Sequence, residues 1–197
     1  MYDEQFQELR SIVLRSPLIS ALLSNWSEIG LPDCWLVAGA VTQTVWNHKF
    51  GYPAMHGIND IDLVYFDAND LSEKAEAEQA ARIQGAFCDL PAWLDVKNEA
   101  RVHLWYEAKF GYPIEPYTSA AHAITTFPTT ATAVGLRSDD NALKLYAPFG
   151  LSDLFRGIVR PNKKQITREI YAQKVDRWIT AWPKLTVVTW GDKAEEV

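Results

Sequence analysis

The chain is poor in the groups that build several common kinds of site. Cys34 and Cys88 are its only cysteines among 197 residues, each in an apolar setting and neither in a C-x-x-C pair. Two such residues make no disulfide framework. The four histidines show no H-x-x-x-H spacing, so a zinc centre is not expected. No apolar run is long enough to span a bilayer, and the first residues are acidic and amphipathic, without an apolar signal core. A cytoplasmic setting with no membrane association is the expectation. Positive charge is also scarce: 19 Lys and Arg stand against 25 Asp and Glu, a net charge of −6. That balance opposes broad, nonspecific binding to nucleic acid. One segment departs from it. Arg156, Arg160, Lys163, Lys164, Arg168, Lys174 and Arg177 meet only Glu169 and Asp176, a local excess of +5, which reads first as a solvated helix face.

Aromatic residues are plentiful, with eight each of Trp, Tyr and Phe. The length suffices for a full core, and no low-complexity linker divides the chain, so a single domain over residues 1–197 is expected, with a core at about 16–112 and an appendage at about 113–190. Apolar periodicity predicts helices over 3–14, 17–29, 40–50, 71–84, 99–110, 118–127, 150–156 and 163–178. Short strands are expected at 34–38, 60–66 and 93–97, a hairpin at 131–137 and 142–146 with its loop at 138–141, and a last strand or extended tail at 184–190, with 191–197 frayed. Lys-Phe-Gly-Tyr-Pro occurs at both 49–53 and 109–113; the flanks differ, so these are two helix stops made with the same chemistry. Interleaved helices and strands give an α/β (α+β) class.

The most telling feature is Asp60-Ile61-Asp62 at the entry of an apolar strand. Residues two apart in a strand share a face, roughly 6.5–7 Å apart. Two carboxylates so placed repel unless a cation bridges them, and a hard ion such as Mg2+ or Mn2+ suits oxygen ligands. Upstream, a strand runs into Gly39-Ala40 at a helix start, where free N–H groups and the helix dipole favour phosphate. Downstream, Asp95 offers a third carboxylate on another strand. Taken singly, each feature has a plainer meaning: an Asp-x-Asp can guard a sheet edge, and Asp95 can be a surface acid. His56, in the loop before the acidic strand, reads equally as a substrate neighbour or a surface residue. Arg101 and Trp105 are spaced to pair as cation and aromatic or to line a pocket.

In combination, Val37-Ala38-Gly39-Ala40-Val41, Asp60-Ile61-Asp62-Leu63 and Asp95 resemble the nucleotidyltransferase superfamily that includes DNA polymerase beta and the CCA-adding enzymes. More narrowly, the chain is similar to a small bacterial nucleotidyltransferase-like family formerly classed as a domain of unknown function. That likeness extends through His103-Leu104-Trp105-Tyr106, Phe110-Gly111, the stretch from Pro128 to Gly135 and the stretch from Tyr146 to Gly150, so it covers about residues 16–190. The resemblance implies a nucleotidyltransferase fold, a small mixed sheet covered by helices with extra C-terminal helices and a hairpin. It implies Asp60, Asp62 and Asp95 as metal-binding and catalytic residues, and Gly39, Ala40 and Thr42 as the nucleotide-binding turn. An NTP would be the donor and Mg2+ or Mn2+ the cofactor. The acceptor is open; the acidic composition favours a small molecule or a protein, and the basic segment keeps RNA in view. Two departures stand out: Ala40 replaces the serine that many superfamily members place after the turn glycine, and Thr42 stands where CCA-adding enzymes have an arginine. Both remove phosphate-binding groups, which keeps a noncatalytic nucleotide-binding module, and a metal-dependent phosphohydrolase, as alternatives.

Overall fold

A computed structural model describes residues 2–140 and 142–191. Five strands form its main sheet: β1 (Trp35–Val37), β2 (Asp60–Tyr65), β3 (Trp93–Asn98), β4 (Gly135–Asp139) and β5 (Ala142–Tyr146), in the order β3-β2-β1-β4-β5. β2 and β3 run parallel, joined by helix α5 (labelled in chain order; Glu73–Ala86), and the other neighbours are antiparallel. A parallel pair needs such a crossover. Helix α5 starts cleanly because the Ser72 side chain accepts from the Ala75 N–H at 3.2 Å and Glu73 and Glu76 occupy the first turn.

The sheet's two faces differ. Leu36, Ile61, Leu63, Leu94, Val96 and Leu136 enter a continuous core that reaches from Leu9 to Leu185. Helices α1 (Tyr2–Arg15), α2 (Pro17–Ser24), α4 (Gly39–Phe50) and α9 (Arg168–Ala181) all contribute buried residues to that core. The opposite face is covered only in part: Trp35, Val37 and Val64 pack against Ala120 and Ile124 of α7 (Ala120–Ile124). β1 pairs with β4 through Leu36 and Leu136, so the segment after residue 113 supplies two strands of the same sheet.

At the centre of the main core Trp46 is fully buried, with its ring 5.9 Å from Trp178 and 5.5 Å from Trp182, both edge-on. Trp182 Nε1 donates to Asn47 Oδ1 at 2.7 Å. This cluster fastens α9 to α4. Gly57, at φ +70°, passes so close to Trp182 that an added Cβ would lie 2.5 Å from the indole.

The expected elements are present, several with shifted bounds: the helix expected over 118–127, for one, spans only Ala120–Ile124. The helix expected over 17–29 breaks at Asn25, whose Nδ2 donates to the Ala21 carbonyl at 2.9 Å; a short α3 (Trp26–Ile29) follows. β4 starts at Gly135 rather than 131, because Thr129 accepts N–H bonds from Thr132 and Ala133 and holds residues 129–133 in a turn. α9 starts at Arg168 rather than 163, capped by Thr167. Before it, Asn162 Nδ2 donates to the carbonyls of Thr125 (2.8 Å) and Phe127 (2.9 Å), which commits residues 162–167 to a loop. The remaining helices are α6 (Val102–Phe110), entered through a 3-10 turn at Glu99–Arg101, and α8 (Ser152–Arg156). Within the expected tail, Thr186–Val187 forms β7 and pairs in parallel with β6 (Ile158–Val159). Asn141 of the expected hairpin loop, and residues 192–197 of the expected frayed end, lie outside the described residues.

Candidate active site

The parallel register of β2 and β3 sets Asp60 beside Trp93 and Asp62 beside Asp95. Strand alternation turns Ile61 into the core and leaves Asp60 and Asp62 together on the partly covered face. Asp62 is also opposite Val37 in the antiparallel pair, so it lies next to the end of β1, where the chain enters α4. Ala38 makes that entry with φ 53° and ψ −119°, a conformation costing a residue with a Cβ about 1–3 kcal/mol. The turn is held in place from behind. Ala38 N–H donates to the Val134 carbonyl at 3.1 Å, and Thr42 Oγ1 donates to the Ala131 carbonyl at 3.2 Å.

Gly39 leaves a space at this point. A Cβ there would sit 3.7 Å from Asp62 Oδ2 and 3.5 Å from Gln43 Nε2. Gln43 is buried, and its Oε1 has no hydrogen-bond partner among the described residues. The α4 N-terminus has no side-chain cap, so its first N–H groups retain the anion-favouring character of a helix start. Ala40 is buried behind the turn, and Thr42 is fully buried with both its hydroxyl and its backbone N–H engaged within the protein.

The acids crowd one another. Burial, then the charge of Asp60, then that of Asp95 push the Asp62 carboxyl up to about 6, while Lys174 and Arg177 pull it down. Asp95 carries its own ion pair, with Lys97 Nζ 3.2 Å from Oδ1. Among the described residues no three His, Cys, Asp or Glu are gathered as a finished metal cage. The donor set still fits a hard divalent ion: it offers carboxylate oxygens, and Asp62 is held back from ionising first by burial and then by the neighbouring negative charge of Asp60 and Asp95, which such an ion would neutralise.

Beside Asp95 opens a cavity of about 540 Å³, within the usual range for small-molecule sites. Trp105, Tyr106, Phe110, Tyr117 and Phe127 form much of its wall, and Lys97, Lys109, Lys174 and Arg177 bring positive charge to it. Ile170, Gln173, Lys174 and Arg177 recur at helical spacing on α9, on the flank next to its core residues Tyr171, Val175 and Trp178. Lys174 is itself held below the usual lysine range, first by burial and then by Arg177, with Asp62 and Asp60 opposing the shift. The two cations therefore feel the two acids across the same space. Glu99 also lines the cavity; burial, then Glu76 and Asp62, push its carboxyl up to about 8.

Part of the basic segment read as a solvated face thus borders the site. The +5 run is the signal that could have revealed Lys174 and Arg177, once their i, i+3 spacing is set against the apolar positions 171, 175 and 178. Glu99 and Gln43 carry no comparable mark in the sequence. Other candidates are occupied elsewhere. Arg101 Nη1 pairs with Glu76 Oε1 at 2.6 Å rather than with Trp105, which instead meets Lys109 Nζ, 5.3 Å from its ring centroid. His56 stacks on Tyr52 and its Nε2 lies 2.8 Å from the Ala181 carbonyl.

No protein of curated function matches the chain. A solved NMR structure described as revealing a CCA-adding enzyme head domain is similar to it, with a TM-score of 0.76 and 27% identity over 93% of this chain and 95% of that one. A family model described as nucleotidyltransferase matches residues 24–187, and with most of its length inside that match the chain belongs to the nucleotidyltransferase family.

Proposed function

We propose that the protein transfers a nucleoside monophosphate from an NTP to an acceptor hydroxyl, in a reaction that depends on Mg2+ or Mn2+. The family and fold support nucleotidyl transfer in general. The observation that carries the finer reading is that acid and base border one cavity: Asp95, with Asp62 beside it in register, lines the same space as Lys174 and Arg177. A phosphate chain fits between such banks, its negative oxygens toward α9 and toward metal held on the acidic side.

In this reading Asp60 and Asp62 hold the ion, with Asp95 as a third carboxylate. The ion, when bound, supplies charge neutralisation at the phosphates and at the leaving pyrophosphate. Asp95, oriented by Lys97, accepts the acceptor's proton as its oxygen bonds to the α-phosphorus and the bond to the bridging oxygen breaks. The N–H groups at Gly39 and Ala40 face the phosphates, and Thr42 acts from behind by fixing the turn. Lys174 and Arg177 take over the phosphate contacts that the side chains of Ala40 and Thr42 do not provide, which favours catalysis over a purely binding role.

The test is incubation of the purified protein with each α-labelled NTP, Mg2+ or Mn2+, and cell extract. Label on an acceptor together with released pyrophosphate, abolished in Asp62→Ala, is the expected result. Nucleotide binding without pyrophosphate would favour the noncatalytic module, and monophosphate without acceptor labelling would favour a phosphohydrolase. The acidic composition favours a small-molecule or protein acceptor. An RNA acceptor would show itself by binding that weakens steeply as salt rises.

A further inference from the structure

Glu99 stands apart from the acids just described. It is 7% exposed, it lines the aromatic cavity, and its carboxyl makes no hydrogen bond or ion pair among the described residues. A carboxyl that faces a cavity rather than a protein partner is available to a ligand, and this one is not needed to hold the fold: Asn98, its neighbour, caps the turn, and Arg101 satisfies Glu76. Close to it, Tyr117 donates its hydroxyl to Gln165 Oε1 at 2.9 Å and lies 2.9 Å from Thr126 Oγ1. That bond fixes the Gln165 amide, whose Nε2 N–H groups donate to no other group among the described residues.

The cavity therefore offers flat apolar walls, a buried carboxyl and an amide, with cations at Lys109, Lys174 and Arg177. An ammonium-bearing ligand would be repelled by those cations. An anionic ligand with a flat, hydrogen-bonding ring satisfies every part: ring against Trp105 and Phe110, polar edge toward Glu99, phosphates toward α9. We propose that this cavity binds the base of the nucleotide and that Glu99 reads it, pairing its carboxyl with an adjacent donor and acceptor on the base edge. The inference rests on the nucleotidyl-transfer reading above. A protonated carboxyl supplies both a donor and an acceptor, and burial beside Glu76 and Asp62 favours that form at neutral pH.

The experiment measures binding of the four non-hydrolysable α,β-methylene NTP analogues to the full chain, without relying on turnover. Wild type is expected to prefer one base. Glu99→Ala should weaken the preferred analogue by roughly 10- to 100-fold and bring all four affinities close together, because a site built to hydrogen-bond loses its discrimination with the bond. Glu99→Gln, which keeps one donor and one acceptor, should retain the ranking. Trp105→Ala should weaken all four by roughly tenfold with the ranking unchanged, since stacking is indifferent to base identity. A Glu99→Ala protein with native circular dichroism and unaltered affinity ratios would overturn the role of Glu99 alone. Failure of wild type to bind any of the analogues would overturn the nucleotide reading and the base assignment with it.

Discussion

Replacing Asp62 with asparagine removes the charge while keeping the shape, and the consequences for stability and for activity have opposite signs. The unfolded carboxyl ionises near 3.8 and the folded one near 6. Between those values the folded state holds more protons, so its stability falls as pH rises through the window. The penalty is absent below 3.8 and complete above 6. At about 1.4 kcal/mol per pH unit this amounts to at most about 3 kcal/mol, and solvent reaching the partly buried group reduces it toward about 1 kcal/mol. In metal-free buffer at pH 8, Asp62→Asn should therefore melt higher than wild type, by roughly 2–12 °C for a chain of this size. The gain should vanish as the pH is lowered toward 4. Manganese should raise the melting temperature of wild type and leave the variant almost unmoved, because only wild type releases repulsion by binding the ion. Nucleotidyl transfer should be lost in the more stable protein. Thermal melts at pH 4 and 8, each with and without MnCl2, read all of this. An Asp62→Asn protein that melts at or below wild type in metal-free buffer at pH 8, or an equal response of both proteins to manganese, would refute the reasoning.

Lys174→Ala should raise the KM for NTP at least tenfold, with less effect on the fold, and Arg177→Ala should act in the same direction more weakly because that side chain is exposed; steady-state kinetics measure both. Glu99 ionises near 4.5 when unfolded and near 8 when folded, so it too costs stability as pH rises through that range. Glu99→Gln should match wild type below pH 4.5 and exceed it by about 2–5 kcal/mol above pH 8, as read by denaturant melts across the range. Gly57→Ala should destabilise by about 2–4 kcal/mol, through both the left-handed backbone and the indole in its path, and a urea titration is the check.

The two acids of β2 are legible in the sequence because a strand's period of two is short and strict. Asp60, Ile61 and Asp62 have only one way to lie in an alternating strand that leads into a core. Gly39 is legible for a related reason, standing where an apolar strand gives way to a helix. The partnership of Asp62 with Asp95 depends on register, which a parallel crossover of 27 residues between β2 and β3 does not specify locally. Lys174, Arg177 and Glu99 are harder still. Their roles follow from which flank of α9 and which side of a 3-10 turn meet a cavity; packing around Trp46, Trp178 and Trp182 orients the helix, and contacts with β2 and α7 orient the turn. Thr42 illustrates the converse. Its position in the motif points toward phosphate, while its hydroxyl is drawn inward by the carbonyl of Ala131, a residue 89 positions away in the chain.

The indole cluster that joins α4 to α9 has a mechanical consequence. One helix begins at the glycine turn and the other carries the two cations, so both banks of the groove are bolted to a common pin and cannot be prised apart without opening the buried core around Trp46. In the proposed reaction the wall free of this pin is the third, α6, whose Trp105 and Phe110 pack against a separate cluster and whose Lys109 is exposed.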